Sequence, residues 1–302
     1  MIASIFNKSK PINLVLAGLL VLISFLTNQI LDLEVVDATT VGKLLFATAI
    51  VIFSIFAVDF IAKKNALSDQ NSFIILLFAL FFGFFEDALN NFNLVIANAF
   101  VLLALRKIIS LKSELNTTKK IFDAALWIAV ASLFHSVAII YLLALYIGIL
   151  LYASNYYKNW LVPIVSLFIV FVIASTGQLF FWGEISYFKE VSFQFLLNFN
   201  SFKNILLLAL FVTLIIIGLF LLPVNVREKT KKNKSTYLLV SVILLVSVLL
   251  SFLSNTESLS ILIFTYFPLS CILSVFLERL NNTIQSISIY VLMLIVLGIN
   301  FL

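Results

Sequence analysis

From Pro11 to Leu302, apolar runs follow one another with only short polar interruptions. Most approach the ~20 residues that an α-helix needs to cross about 30 Å of hydrocarbon. Backbone N–H and C=O groups in lipid must all be bonded internally, and runs of this length can do so only as helices. The pattern therefore predicts an all-α, polytopic integral membrane helix bundle, with residues 1–302 forming one transmembrane domain. Composition agrees where it discriminates. Only 11% of the residues are charged, whereas soluble domains carry about 25%.

The expected spans are 12–31, 42–62, 73–90, 92–110, 120–135, 137–153, 160–177, 204–222, 236–253, 259–277 and 284–302. Pro11 opens the first run, whose apolar core of about 20 residues exceeds the ~7–15 of a signal peptide. Val36-Asp37-Ala38 would pass as a cleavage site, but run length and the spans that follow favour a retained anchor. Ahead of it, Ile2, Ile5 and Phe6 share one helical face, so residues 1–10 read as a short interfacial helix. With the N-terminus in the cytoplasm, all but three of the 19 Lys and Arg residues fall in cytoplasmic segments. The exceptions are Lys43, Lys189 and Lys203. That segregation is a strong positive-inside signal and supports about eleven spans, although an even count follows if 120–153 is drawn differently. The net charge of +5 thus reports orientation, and nucleic acid is not an expected partner. Scarce Gly and Pro, 8 and 4 residues, favour unbroken helices over the interrupted ones of many transporters.

Three features depart from plain spanning helices. The apolar run 73–85 reaches only about 20 Å at 1.5 Å per residue, so its helix must continue through Glu86 and Asp87 to cross. Residues 121–153 as one helix would be about 50 Å long, too long for one span, so a hairpin turning near His135 is expected. Two short neighbouring hairpins would leave a hollow on the outer side. Outside as well, Phe188, Val191, Phe195, Phe199 and Phe202 recur at helical spacing, giving an amphipathic outer segment over 186–203.

Candidate site residues come from the same places. Carboxylates at membrane depth are costly and usually face a cavity or partner. Glu86 and Asp87 could serve as general base or hold a divalent cation such as Mg²⁺, Mn²⁺ or Ca²⁺, or they could simply end a helix in water. Asp32, Glu34 and Asp37 crowd the first outer loop, where they could help hold a metal or act as base, or could form its ordinary acidic surface. His135, the chain's one histidine, could orient a substrate or relay a proton, or pack in the turn against Ser132 or Ser136. It cannot build a zinc site alone. Asp59 lies four residues before Lys63, an ion-pair spacing. Asp123 reads as a first-turn acid favouring the helix dipole. Lone Cys271 lies in an apolar run, so no disulfide framework exists. Phosphate-loop, dinucleotide, HExxH and paired-Cys motifs do not occur.

The opening MIASIFNKSKPINLVLAGLL and the stretch KKIFDAALWIAVASLFHSVAIIYLLALYIGILLY resemble a family of polytopic proteins of similar length from Bacteroidetes, chiefly flavobacteria, to which no activity is attached. The segment ASLFHSVAIIYLLALY is also similar to hairpins of EpsG/Wzy-type polysaccharide polymerases and GT-C glycosyltransferases, which use polyprenyl-linked sugars. That resemblance implies catalytic acids in the outer loop after the first span, here Asp32, Glu34 or Asp37. The chain departs from those enzymes in having no large outer domain and no outer arginine to meet a departing diphosphate. Lys43, Lys189, Lys203 or a bound metal would have to take that role.

The expectation is a multi-pass protein of the bacterial inner membrane, acting on a polyprenyl-linked sugar or glycan at the outer face. Glu86, Asp87, His135 and Asp37 are the expected catalytic residues. The alternative is a non-catalytic scaffold subunit that binds a membrane-protein partner in an envelope complex. Transport, which needs a cavity open alternately to both sides, is a third reading.

Overall fold

A computed structural model describes residues 5–31, 38–68, 70–84, 88, 91–183, 202–225, 231–254 and 259–300. Among them are eleven α-helices and no strand: α1 (Pro11–Leu31), α2 (Ala38–Lys64), α3 (Phe73–Phe84), α4 (Phe92–Ile109), α5 (Thr117–Phe134), α6 (Tyr141–Tyr152), α7 (Lys158–Trp182), α8 (Phe202–Asn225), α9 (Lys231–Leu253), α10 (Ile263–Arg279) and α11 (Asn282–Asn300). Each expected run carries one helix. Short 3₁₀ turns extend α4 and lead into α6 and α10. Pro11 occupies the first position of α1, where its missing N–H costs nothing. In α2, α4, α7, α8, α9 and α10, six stretches are long and apolar enough to cross a membrane.

The helices alternate in direction, as their end contacts show. Lys112, after α4, donates to the carbonyl of Asn65, after α2. Tyr237 near the start of α9 donates to Leu67 O. The Asn71 amide before α3 donates to Glu278 at the end of α10 (2.7 Å). Thr118 at the start of α5 bonds Asn159 at the start of α7 (3.0 Å). These segments therefore meet at one end of the bundle. The same end gathers Lys63, Lys64, Arg106, Lys112, Lys119, Lys120, Lys158 and Arg279, and is the basic end of the bundle.

The N-terminal segment joins this end. Phe6 is buried, and Ser72 donates its backbone N–H to Phe6 O (2.8 Å) while Ser9 N–H bonds Gln70 O (2.8 Å). Asn13 explains the arrangement. Wholly buried, its amide donates to Lys8 O (2.8 Å), Ser72 Oγ (3.0 Å) and Ile5 O (3.3 Å). One amide in α1 thus pins both the entering chain and the α2–α3 loop. Of the expected interfacial helix, Ile5 keeps an exposed position, Phe6 enters the core, and 1–4 lie outside the described residues.

The core is built round α3 and α10. A helix apolar on every side is stable only where every side is covered, and residues 73–82 of α3 are all buried. Helices α1, α2, α10 and α11 pack around it. In α10 the apolar stretch is 94% buried, whereas those of α7 and α8 are only 17% buried, which makes the last two peripheral. Phe78, Phe81 and Phe82 of α3 meet Tyr266 of α10 and Phe211 of α8 in edge-on or tilted contacts, the closest centroids 5.1 Å apart.

Asp123 is a correction to the sequence reading. It lies beyond the first turn of α5, which contains no acid, and pairs with Lys107 of α4 at 2.6 Å. A cross-helix partner, not the helix dipole, holds it. Asp59 does pair with Lys63 (2.8 Å), as its spacing predicts.

Candidate functional site

The chain turns at His135. Its backbone is extended (φ −144°, ψ 103°), which ends α5 at Phe134, and a 3₁₀ turn over Ser136–Ile140 feeds α6. Lys120 in the first turn of α5 bonds Ser110 O (2.7 Å) at the basic end. Gly148 of α6 approaches Ile108 and Leu111 beside the same end, its virtual Cβ only 3.2 Å from Ile108 Cγ2. Helices α5 and α6 thus run out and back, and His135 stands at the end of the bundle opposite the basic one.

Four elements position His135. Its Nε2 shares a hydrogen bond with Ser254 Oγ (3.2 Å), just after α9, and its ring stacks on Phe264 of α10 at 5.8 Å. The expected local partners are not used in this way: the Ser132 hydroxyl donates to Ala129 O of its own helix. Beneath lies a buried polar track that the sequence reading missed. The Ser247 hydroxyl donates to Ile243 O (2.7 Å), so toward Tyr141 its oxygen accepts (2.7 Å). The Tyr141 hydroxyl also points at Phe264 O (3.2 Å). Ser251 donates to Ser247 O (2.9 Å), and Ser247, Ser251 and Ser254 are all buried. Their four- and three-residue spacing sets them along one face of α9, which is the signal that was available. Polar side chains of this kind join helices where lipid supplies no hydrophobic drive.

The first turns of α10 connect this corner to α3. Phe264 touches His135 and Tyr141, and Tyr266, two residues on, touches Phe81 and Phe82 in the last turns of α3. Chain direction therefore brings the end of α3 and His135 to the same end of the bundle. Glu86, Asp87 and Asp37, expected beside His135, lie outside the described residues, as do Asp32 and Glu34 and nearly all of 186–203. Among the described residues no group of three His, Cys, Asp or Glu side chains could hold a metal ion. Chemically, the described corner offers one imidazole in a hydrogen bond, one buried phenol and a row of hydroxyls. Those groups can orient a polar ligand or lock helices together.

Comparison of the chain with protein-family models, with curated proteins and with solved structures finds no match.

Proposed function

We propose that the chain is a multi-pass protein of the bacterial inner membrane, with about eleven spans and its N-terminus in the cytoplasm. Supporting this is the meeting, at one end of the bundle, of the segments that carry most of the basic residues. Within that frame, the proposed activity is transfer or polymerisation of a polyprenyl-linked sugar at the outer face. Glu86 or Asp87 would act as base or ligand of a divalent cation on the acceptor hydroxyl. Asp37 would assist, and His135 would orient the acceptor. The observation that carries this reading is the convergence of the α3 end and His135 on the first turns of α10. The similarity of the His135 hairpin to polysaccharide polymerases and GT-C enzymes points the same way.

A second reading, a scaffold subunit of an envelope complex, is favoured by the occupation of His135 with Ser254 and Phe264. The double variant Glu86→Gln/Asp87→Asn in a deletion strain separates them. Lost envelope glycan at a normal membrane level supports the enzyme. Unchanged glycan at that level refutes it and favours the scaffold, which a stable partner on pull-down would then identify.

A further inference from the structure

Residues of α2 and α4 near the basic end line an open groove of about 840 Å³. Its wall is aromatic and outward-facing: Phe53, Phe56 and Phe60 are 49%, 54% and 43% exposed. Spaced at three and four residues, they form one stripe along α2 that ends at Lys63 and Lys64. From Phe53 to Lys64 the helix rises about 16 Å, close to the ~15 Å depth of one leaflet's hydrocarbon.

The mouth of the groove is cationic. Arg106 of α4 lies over the Phe60 ring at 4.3 Å, and Lys64 approaches the same ring at 5.3 Å. One aromatic ring thus fixes both heads at the junction between apolar wall and polar end. Asp59 is matched by Lys63, which leaves the lining with two uncompensated positive charges. Neighbouring cations are engaged by the protein: Lys107 by Asp123, Lys120 by Ser110 and Ser113, Lys112 by Asn65 O. Among the described residues, Lys64 and Arg106 have no acidic partner.

We propose that this groove is a binding site for an anionic glycerophospholipid of the inner leaflet. Its phosphate sits between Lys64 and Arg106, and one acyl chain lies along Phe60, Phe56 and Phe53. Arg106 suits the role because a guanidinium stacked on an aromatic face still presents its planar fork to phosphate oxygens. A soluble phosphate would leave the aromatic wall unused. A second copy of this chain docked symmetrically would set like charges against each other. A zwitterionic lipid would leave the two positive charges unbalanced. The inference rests on the reading of the chain as membrane-spanning, which carbonate extraction of the membranes tests separately.

The test is native mass spectrometry of the full chain in detergent, titrated with phosphatidylglycerol or with phosphatidylcholine. Phosphatidylglycerol should be retained preferentially. A basic residue near an anionic surface is worth about fivefold in affinity, so Lys64→Gln/Arg106→Gln should weaken phosphatidylglycerol binding about thirtyfold. The equal-charge control Lys119→Gln/Lys158→Gln, at exposed positions outside the groove, should change it less than about twofold. Phe53→Ala/Phe56→Ala, with every charge intact, should also lower retention, because the acyl seat is then lost. Equal loss in the two charge pairs would overturn the proposal in favour of diffuse attraction. Equal retention of the two lipids, indifference to the Phe variant, or a dimer that added lipid does not displace would overturn it as well.

Discussion

Phe81→Ala should measure how much of the bundle's stability comes from packing alone. Phe81 is fully buried, with Phe211 at 5.4 Å and Tyr266 at 5.8 Å between ring centroids. In a soluble core such a truncation costs about 3–5 kcal/mol, part of it lost transfer from water and part the cavity left behind. On the proposed membrane-spanning reading the transfer part largely cancels, because a helix separated within the bilayer would keep its side chain in hydrocarbon. The cavity remains. Removing a ring of about 100 Å³ at ~24 cal/mol per Å³ gives about 2.4 kcal/mol if the neighbours do not collapse. The control is Phe220→Ala on peripheral α8, where the side chain is 80% exposed and no comparable cavity forms. Reversible unfolding in mixed micelles, read as free energy against SDS mole fraction, gives both values. Phe81→Ala is expected to lose about 2–3 kcal/mol and Phe220→Ala less than about 0.5. Equal losses would refute the packing of α8 and α10 on α3. A loss near 5 kcal/mol for Phe81→Ala would refute the cancellation of the transfer term.

Three further outcomes are expected. Tyr141→Phe removes the hydroxyl shared by Ser247 and Phe264 O, and should cost about 1–2 kcal/mol in the same unfolding assay. Asp123→Asn breaks the partly exposed Lys107 pair; it should cost under about 1 kcal/mol, and the difference from wild type should shrink in high salt. For orientation, buried Cys271 leaves a silent background for thiol labelling, so single cysteines can be read directly. In intact spheroplasts an impermeant maleimide should label Lys43→Cys but reach Lys119→Cys only after lysis; the reverse pattern would refute the N-inside topology.

The existence and order of the helices were legible because each apolar run is long and polar residues punctuate the chain. The turn at His135 was legible from length alone, since 121–153 exceeds one span. Partners were a different matter. Asp59–Lys63 lies on one helix and its spacing predicts it, whereas Asp123 finds Lys107 across two helices and His135 finds Ser254 more than a hundred residues away. Nor could hydropathy separate buried α3 from exposed α8, for both read as apolar on all sides. Lipid and protein interior are alike in polarity, so burial leaves little mark on composition. As for the proposed site, His135 can be seen in its surroundings, while Glu86, Asp87 and Asp37 stand on the sequence argument.

The enclosed α3 also constrains how the protein is made. Residues 73–82 are buried on every side in the finished bundle, so α3 is poorly suited to stand alone before its neighbours arrive. Helices α1 and α2 are already synthesised when it emerges, but α10, which covers its aromatic face, begins about 190 residues later. At ~5–20 residues per second, that face stays without its final cover for roughly 10–40 s of translation. During that interval α1 and α2 must shelter α3, or a membrane chaperone must, and the Asn13 amide that ties α1 to the loop before α3 is placed to hold the first arrangement together.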